Sequence, residues 1–241
     1  MLSLFLWLLV LGPAKTDMTN EPSALLTRLG SDVHTMVVDG SLSASNQPIQ
    51  GLTFHAEMDS TGAYLLTMGG PFGITAAKMY AAADTFVMVN YLMQEVWFGN
   101  PNSPYLRAAS HLPLPASHLM ALLRGRVPGT PSRFSPVPRE GTNALFSCAD
   151  SAGVEYILVD TTQNTMVQYQ RKDTAGVIDL DVAFQDFRMV EGIPIAFKLI
   201  IRSVKSNQQA MVTIRTADLN THLDKPLALS VPETFERRKF D

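Results

Sequence analysis

Alternation is the strongest pattern along the chain. Over residues 52–59, Leu52, Phe54, Ala56 and Met58 are apolar while Thr53, His55, Glu57 and Asp59 are polar, the two-residue period of a half-buried strand. Strand-like runs follow at 64–68, 74–80, 85–90 and 95–98, separated by turn formers such as Ser60-Thr61-Gly62 and Gly69-Gly70-Pro71. The same period returns at 154–160, 166–171, 176–184, 193–204 and 209–219. Helical spacing occurs twice. At 21–30, Asn20 suits an N-cap, Pro22 the first turn, Leu25, Leu26 and Leu29 one stripe, and Gly30 the stop. Later, Leu119, Met120, Leu122 and Leu123 follow Pro115 and precede Gly125. Between this second helix and the second group of strands, residues 126–141 carry Pro128, Pro131, Pro136 and Pro138 and read as a rim loop without regular structure.

About ten or eleven strands with two short helices exclude a βαβ architecture. The pattern predicts a mainly β protein, one strongly curved antiparallel sheet whose concave face is covered by short helices. Two helices are too few to cover such a face fully, so an apolar cavity is expected there.

Composition narrows the partners. The chain has 241 residues, 46% hydrophobic and 17% charged, which rules out disorder. Nineteen Lys+Arg against 22 Asp+Glu leave a formal charge of −3. The only basic block is Arg237, Arg238 and Lys239, so nothing marks a nucleic-acid partner.

Residues 2–11 form an apolar run broken only by Ser3. As a helix this run would be about 15 Å long, half a bilayer core. With Gly12 and Ala14 at small-x-small spacing, residues 1–14 read as a signal peptide cleaved after Ala14. No Lys or Arg precedes the run, which would place the true start upstream; the alternative is a buried N-terminal strand or helix. A signal places the mature chain in the periplasm or on the periplasmic face of the outer membrane, with residues 19–241 as one domain.

Candidate chemistry is sparse. His34, His55, His111, His118 and His222 form no HExxH-type pair. Cys148, the single cysteine, permits no internal disulfide and lacks a catalytic signature, so it reads as a buried structural thiol. Gly69-Gly70-Pro71-Phe72-Gly73 has neither phosphate-loop spacing nor a following helix and reads as a turn. Asp179 and Asp181 share one strand face, the one opposite the apolar residues, which predicts a solvated pair. No catalytic residue, metal ligand or cofactor is assigned. The apolar side is richer: twelve methionines, most on predicted strands, suit either core packing or a pocket for flexible chains.

Several segments resemble a bacterial envelope lipoprotein family of unknown function, itself similar to the lipoprotein carriers LolA and LolB. The stretch Gly70-Pro71-Phe72-Gly73-Ile74-Thr75-Ala76-Ala77-Lys78-Met79 is similar to that family's glycine-then-strand segment. Asp84-Thr85-Phe86-Val87-Met88-Val89-Asn90 with Glu95-Val96-Trp97-Phe98 resembles its strand pair. Leu119-Met120-Ala121-Leu122-Leu123-Arg124-Gly125 resembles its short apolar helix, and Pro226-Leu227-Ala228-Leu229-Ser230-Val231-Pro232 its terminal strand. The resemblance implies an incomplete β-barrel closed by helices, with a hydrophobic interior that accepts acyl chains. Pro13 stands where a lipidated cysteine would follow Leu11-Gly12, a departure from the family that puts membrane tethering through a lipid in doubt. None of the carriers' charged lining residues can be matched.

The leading expectation is a non-enzymatic carrier of a lipid, acyl chain or lipoprotein, peripherally associated with the outer membrane. Its candidate ligand-facing residues are Phe54, Met58, Leu66, Met68, Met88, Leu119, Met120, Leu122 and Leu123. The helix carrying the last four acts as a lid together with the loop from Pro128 to Pro138. Four apolar residues in five positions exceed one helical stripe, so some of them should face something other than the sheet. The alternative is a structural or assembly protein whose cavity is filled by its own side chains and whose rim docks an envelope partner; an enzyme ranks third.

Overall fold

The computed structural model describes residues 22–45, 51–70, 73–101, 103, 116–204 and 207–240. The signal-like segment, Asn20, Glu21, Pro71, Phe72 and His111 lie outside them. In chain order the elements are α1 (Pro22–Arg28), β1 (Met36–Ala44), β2 (Leu52–Met58), β3 (Tyr64–Gly69), β4 (Thr75–Ala81), β5 (Phe86–Asn90) and β6 (Glu95–Gly99). Then come α2 (Ala116–Leu123), a 3-10 turn (Pro131–Arg133), β7 (Ser135–Val137), β8 (Asn143–Asp150) and β9 (Gly153–Asp160). The chain continues through β10 (Thr165–Lys172), β11 (Ile178–Val190), β12 (Ile193–Ser203), β13 (Gln208–Leu219) and β14 (Glu236–Phe240).

All fourteen strands belong to one sheet, in the order β14-β6-β5-β4-β3-β2-β1-β13-β12-β11-β10-β9-β8-β7. Neighbours are antiparallel, except that β14 runs parallel to β6. Among the described residues the count is fourteen, against the ten or eleven expected. β1 was hidden by Asp39 and Gly40 in its middle, and β7 and β8 lie in or beside the proline-rich loop, which is therefore not wholly irregular. The terminal strand implied at 226–232 is not a strand; the last strand is the charged Glu236–Phe240. It takes its hydrogen bonds from β6 and sets the Phe240 ring 5.2 Å from Trp97. No helix among the described residues is long and apolar enough to cross a membrane.

The register lines up one apolar face across the sheet. One row runs Ala56, Leu66, Met79, Met88, Trp97. Another runs Ala210, Ile201, Val182, Tyr169, Ile157, Phe146. These rows and α2 share one buried cluster, and burial of that face is the main force holding the sheet. Gly40 on β1 makes room for it: a Cβ there would lie 2.5 Å from both Phe54 Cζ and the Thr213 carbonyl oxygen, so only glycine lets the Phe54 ring lie against the backbone.

After α2, Arg126 reaches back to the α1–β1 connection, donating from Nε to the Gly30 carbonyl at 2.9 Å and from Nη2 to that of Val33 at 2.6 Å. Gly30 itself has φ +61, and a side chain there would collide with the Arg124 carbonyl. These contacts fix both helices at the end of the sheet that carries the β2–β3, β4–β5 and β9–β10 turns.

Candidate ligand-binding site

Period-two alternation and the register place Phe54, Met58, Leu66, Met68 and Met88 on the inner face, while Leu119, Met120, Leu122 and Leu123 project from α2. Seven of these nine are buried in the shared cluster, Leu66 packs against it, and Met68 is half-buried opposite Phe54. Met58 is 0% and Leu122 1% exposed. Beneath α2 the concavity is thus occupied by the protein's own side chains. Two of the nine also border open space: Met120 a pocket of about 260 Å³ and Leu122 a cleft of about 120 Å³.

A larger opening lies elsewhere, a groove of about 710 Å³ between α1 and the β7–β8 edge, within the usual range for small-molecule sites. It is lined by Leu25, Pro136, Val137, Ala144, Leu145 and Phe146, with Arg28 and Arg139 at its margin. β7 is only three residues long and contains Pro136, which cannot donate to a ladder, so the sheet ends abruptly. Ala144 and Phe146 belong to the inner face of β8, so the groove reaches the face that α2 covers farther along. None of the nine expected residues lines this groove. Arg28 borders both the groove and the 120 Å³ cleft, and Arg124 borders both the cleft and the 260 Å³ pocket. The three spaces form a row at the helix-bearing end.

Arginines punctuate that row. Arg124 is 5% exposed and donates from Nη2 to the Asp59 carbonyl oxygen at 2.7 Å. Burial, then the charge of Arg126, pulls its pKa down to about 10, with Asp59 opposing the shift. An Arg-Gly-Arg turn directly after an apolar helix was the available sequence signal, and motif searches for nucleophiles and metal ligands pass over it. The groove could not be read from sequence either, because it needs α1 brought against β8 across more than a hundred residues.

A second polar group interrupts the inner face at the other end of β9 and β10. Arg171 forks onto Asp179, donating from Nε to Oδ1 and from Nη2 to Oδ2, each at 3.0 Å. Asp181 instead binds Gln168 at 2.7 Å and Arg202 at 3.5 Å. The expected solvated Asp179–Asp181 pair is therefore split. A bulge at Arg171/Lys172 shifts the register beside Asp179 and brings it to Arg171. The buried Tyr169 hydroxyl faces Glu155 without closing a well-formed hydrogen bond. Burial, then Asp150, pushes the Glu155 carboxyl above the usual glutamate range. Cys148, opposite Glu155 across the ladder, is a buried free thiol. His55 lies on the outer face between Asp39 at 2.9 Å and Glu57 at 3.4 Å. Among the described residues no group of three His, Cys, Asp or Glu is placed to hold a metal ion.

No protein-family model and no curated protein matches the sequence. Solved structures do match in shape. A DUF1329 family protein from Desulfovibrio piger superposes with TM-score 0.68 at 8% identity, over 87% of this chain and 96% of its own. A domain assigned to outer membrane lipoprotein sorting in Vibrio parahaemolyticus gives 0.61 at 6%, over 85% and 94%. A LolA superfamily protein from Nitrosomonas europaea gives 0.58 at 8%, over 84% and 95%. The chain therefore has a LolA-like fold, a large curved sheet with few helices.

Proposed function

We propose that the protein is a non-catalytic carrier that holds the acyl chain of a lipid or lipoprotein in the cell envelope. The observation that carries this reading is the apolar groove of about 710 Å³ that opens onto the inner face where β7 ends. In this reading the chain enters beside Leu25 and Phe146 and runs under α2, which lifts to admit it. Phe54, Met58, Leu66, Met68 and Met88 then line the chain from the sheet, and Leu119, Met120, Leu122 and Leu123 line it from the lid. Each methylene buried contributes about 0.8 kcal/mol, enough for a long chain to bind without a charged contact. The envelope setting is supported by the signal-like residues 1–14 and by the likeness to a domain assigned to outer membrane lipoprotein sorting.

Titration with a fluorescent fatty-acid probe tests the reading. Wild type should bind saturably, and Leu25→Arg, which puts a charge into the groove, should weaken binding at least tenfold with little change in melting temperature. No saturable binding by wild type would overturn it. The dense packing beneath α2 favours a second reading, a filled structural domain whose rim docks an envelope partner; that reading predicts no probe binding at all.

A further inference from the structure

Arg124 is a buried cation that makes no ion pair among the described residues. Its residue is 95% buried by the complement of its 5% exposure, and no carboxylate lies within ion-pair distance of it among the described residues. Asp59 is the acid whose charge reaches Arg124, but it makes no ion pair with it, and its Oδ1 is held in its own turn, accepting from Thr61 N at 2.8 Å, Thr61 Oγ1 at 2.7 Å and Ala63 N at 3.0 Å. Only the Asp59 backbone carbonyl meets Arg124, through Nη2. Its Nε is buried and unpartnered. Arg126, beside it, spends Nε and Nη2 on Gly30 and Val33, which leaves Nη1 uncommitted among the described residues. Both arginines line the 260 Å³ pocket with Thr61, Tyr64, Ser117 and Met120.

A buried guanidinium with an idle donor is costly in a folded protein, and a second positive charge beside it raises that cost. A planar anion relieves both, because the guanidinium fork matches carboxylate and phosphate oxygens. The polar wall of the pocket meets the apolar lid at Met120. We infer that Arg124 and Arg126 bind the anionic head, carboxylate or phosphate, of the amphiphile whose chain runs under α2. This inference rests on the carrier reading above and adds the charge of the ligand to it.

Displacement of the fluorescent probe from the full chain tests it, with palmitate and lysophosphatidate below their critical micelle concentrations, hexadecanol below its solubility limit, and inorganic phosphate as competitors. Palmitate and lysophosphatidate should each bind at least tenfold more tightly than hexadecanol, and the stronger of the two names the head. High salt should shrink that preference in wild type, a readout that needs no variant. Arg124→Met should reduce the anionic ligands to the hexadecanol level while hexadecanol itself is unchanged, and Arg126→Met should do so in part. Equal binding of palmitate and hexadecanol by wild type overturns this inference and leaves the carrier reading standing. Binding of inorganic phosphate alone, lost in Arg124→Met, overturns the assignment to an amphiphile. Failure of every amphiphile to bind overturns both readings.

Discussion

Replacing Leu122 by alanine removes the most deeply buried of the four apolar side chains Leu119, Met120, Leu122 and Leu123 on α2. Leu122 is 1% exposed and belongs to the main cluster. A Leu→Ala change at such a site costs about 2–5 kcal/mol. Because Leu122 already borders a cleft of about 120 Å³, part of its surroundings is empty before the change, which points to the lower end, about 2–3 kcal/mol. For a chain of this size each kcal/mol lowers the melting temperature by about 2–4 °C, so a fall of about 4–12 °C is expected. If α2 must lift for a chain to enter, the packing cost falls on the closed state, and the bound state loses only the contact that the Leu122 side chain makes with the ligand. A loss of about 2 kcal/mol then raises the open fraction roughly thirtyfold, and apparent affinity rises with it until the open form dominates. Thermal melts by circular dichroism and titration with the fatty-acid probe measure the two effects on one sample. A lower melting temperature with unchanged affinity would show that the ligand does not compete with α2. An unchanged melting temperature would show that Leu122 does not pack as described.

Gly40→Ala should destabilise by about 1–3 kcal/mol, seen as a lower urea midpoint, because the new methyl lies 2.5 Å from Phe54 Cζ and from the Thr213 carbonyl oxygen. Glu155→Gln should raise the melting temperature near neutral pH. The folded-state pKa of Glu155 is raised, so the unfolded chain loses this proton first and stability falls as pH rises through that window. The gain from the amide should accordingly vanish once the pH drops below the ordinary glutamate range, as melts across a pH series would record. A chain beginning at Met18 should remain soluble and β-rich by circular dichroism, since the residues before about Asp17 lie outside the periodic pattern; aggregation of that chain beside a well-behaved full-length protein would count residues 2–11 as core.

Much of the sheet was legible because a half-buried strand writes its two faces into the sequence, as Leu52–Met58 does. The strands that escaped notice break that code for identifiable reasons. β1 carries Gly40 where Phe54 needs space, β7 is three residues built around Pro136, and β14 is Glu-Arg-Arg-Lys-Phe, whose pairing with β6 depends on a partner more than a hundred residues away. The apolar helix was readable from Leu119 to Leu123, and so was its stop at Gly125. Its surroundings were not. Whether Met120 or Leu122 meets a cavity depends on turns from β2–β3 and β9–β10, and the exposure of Arg124 depends on how tightly those turns close over it. Composition could report that Arg124 and Arg126 carry charge, but not that one of them is buried outside any ion pair among the described residues.

Mass spectrometry of organic extracts from gently purified protein tests the central claim most directly. The account predicts an amphiphile with a long acyl chain and an anionic head, recovered near one equivalent from wild type and depleted from Leu25→Arg. Extracts that contain no such molecule, from protein that also leaves the fatty-acid probe unbound, would contradict it.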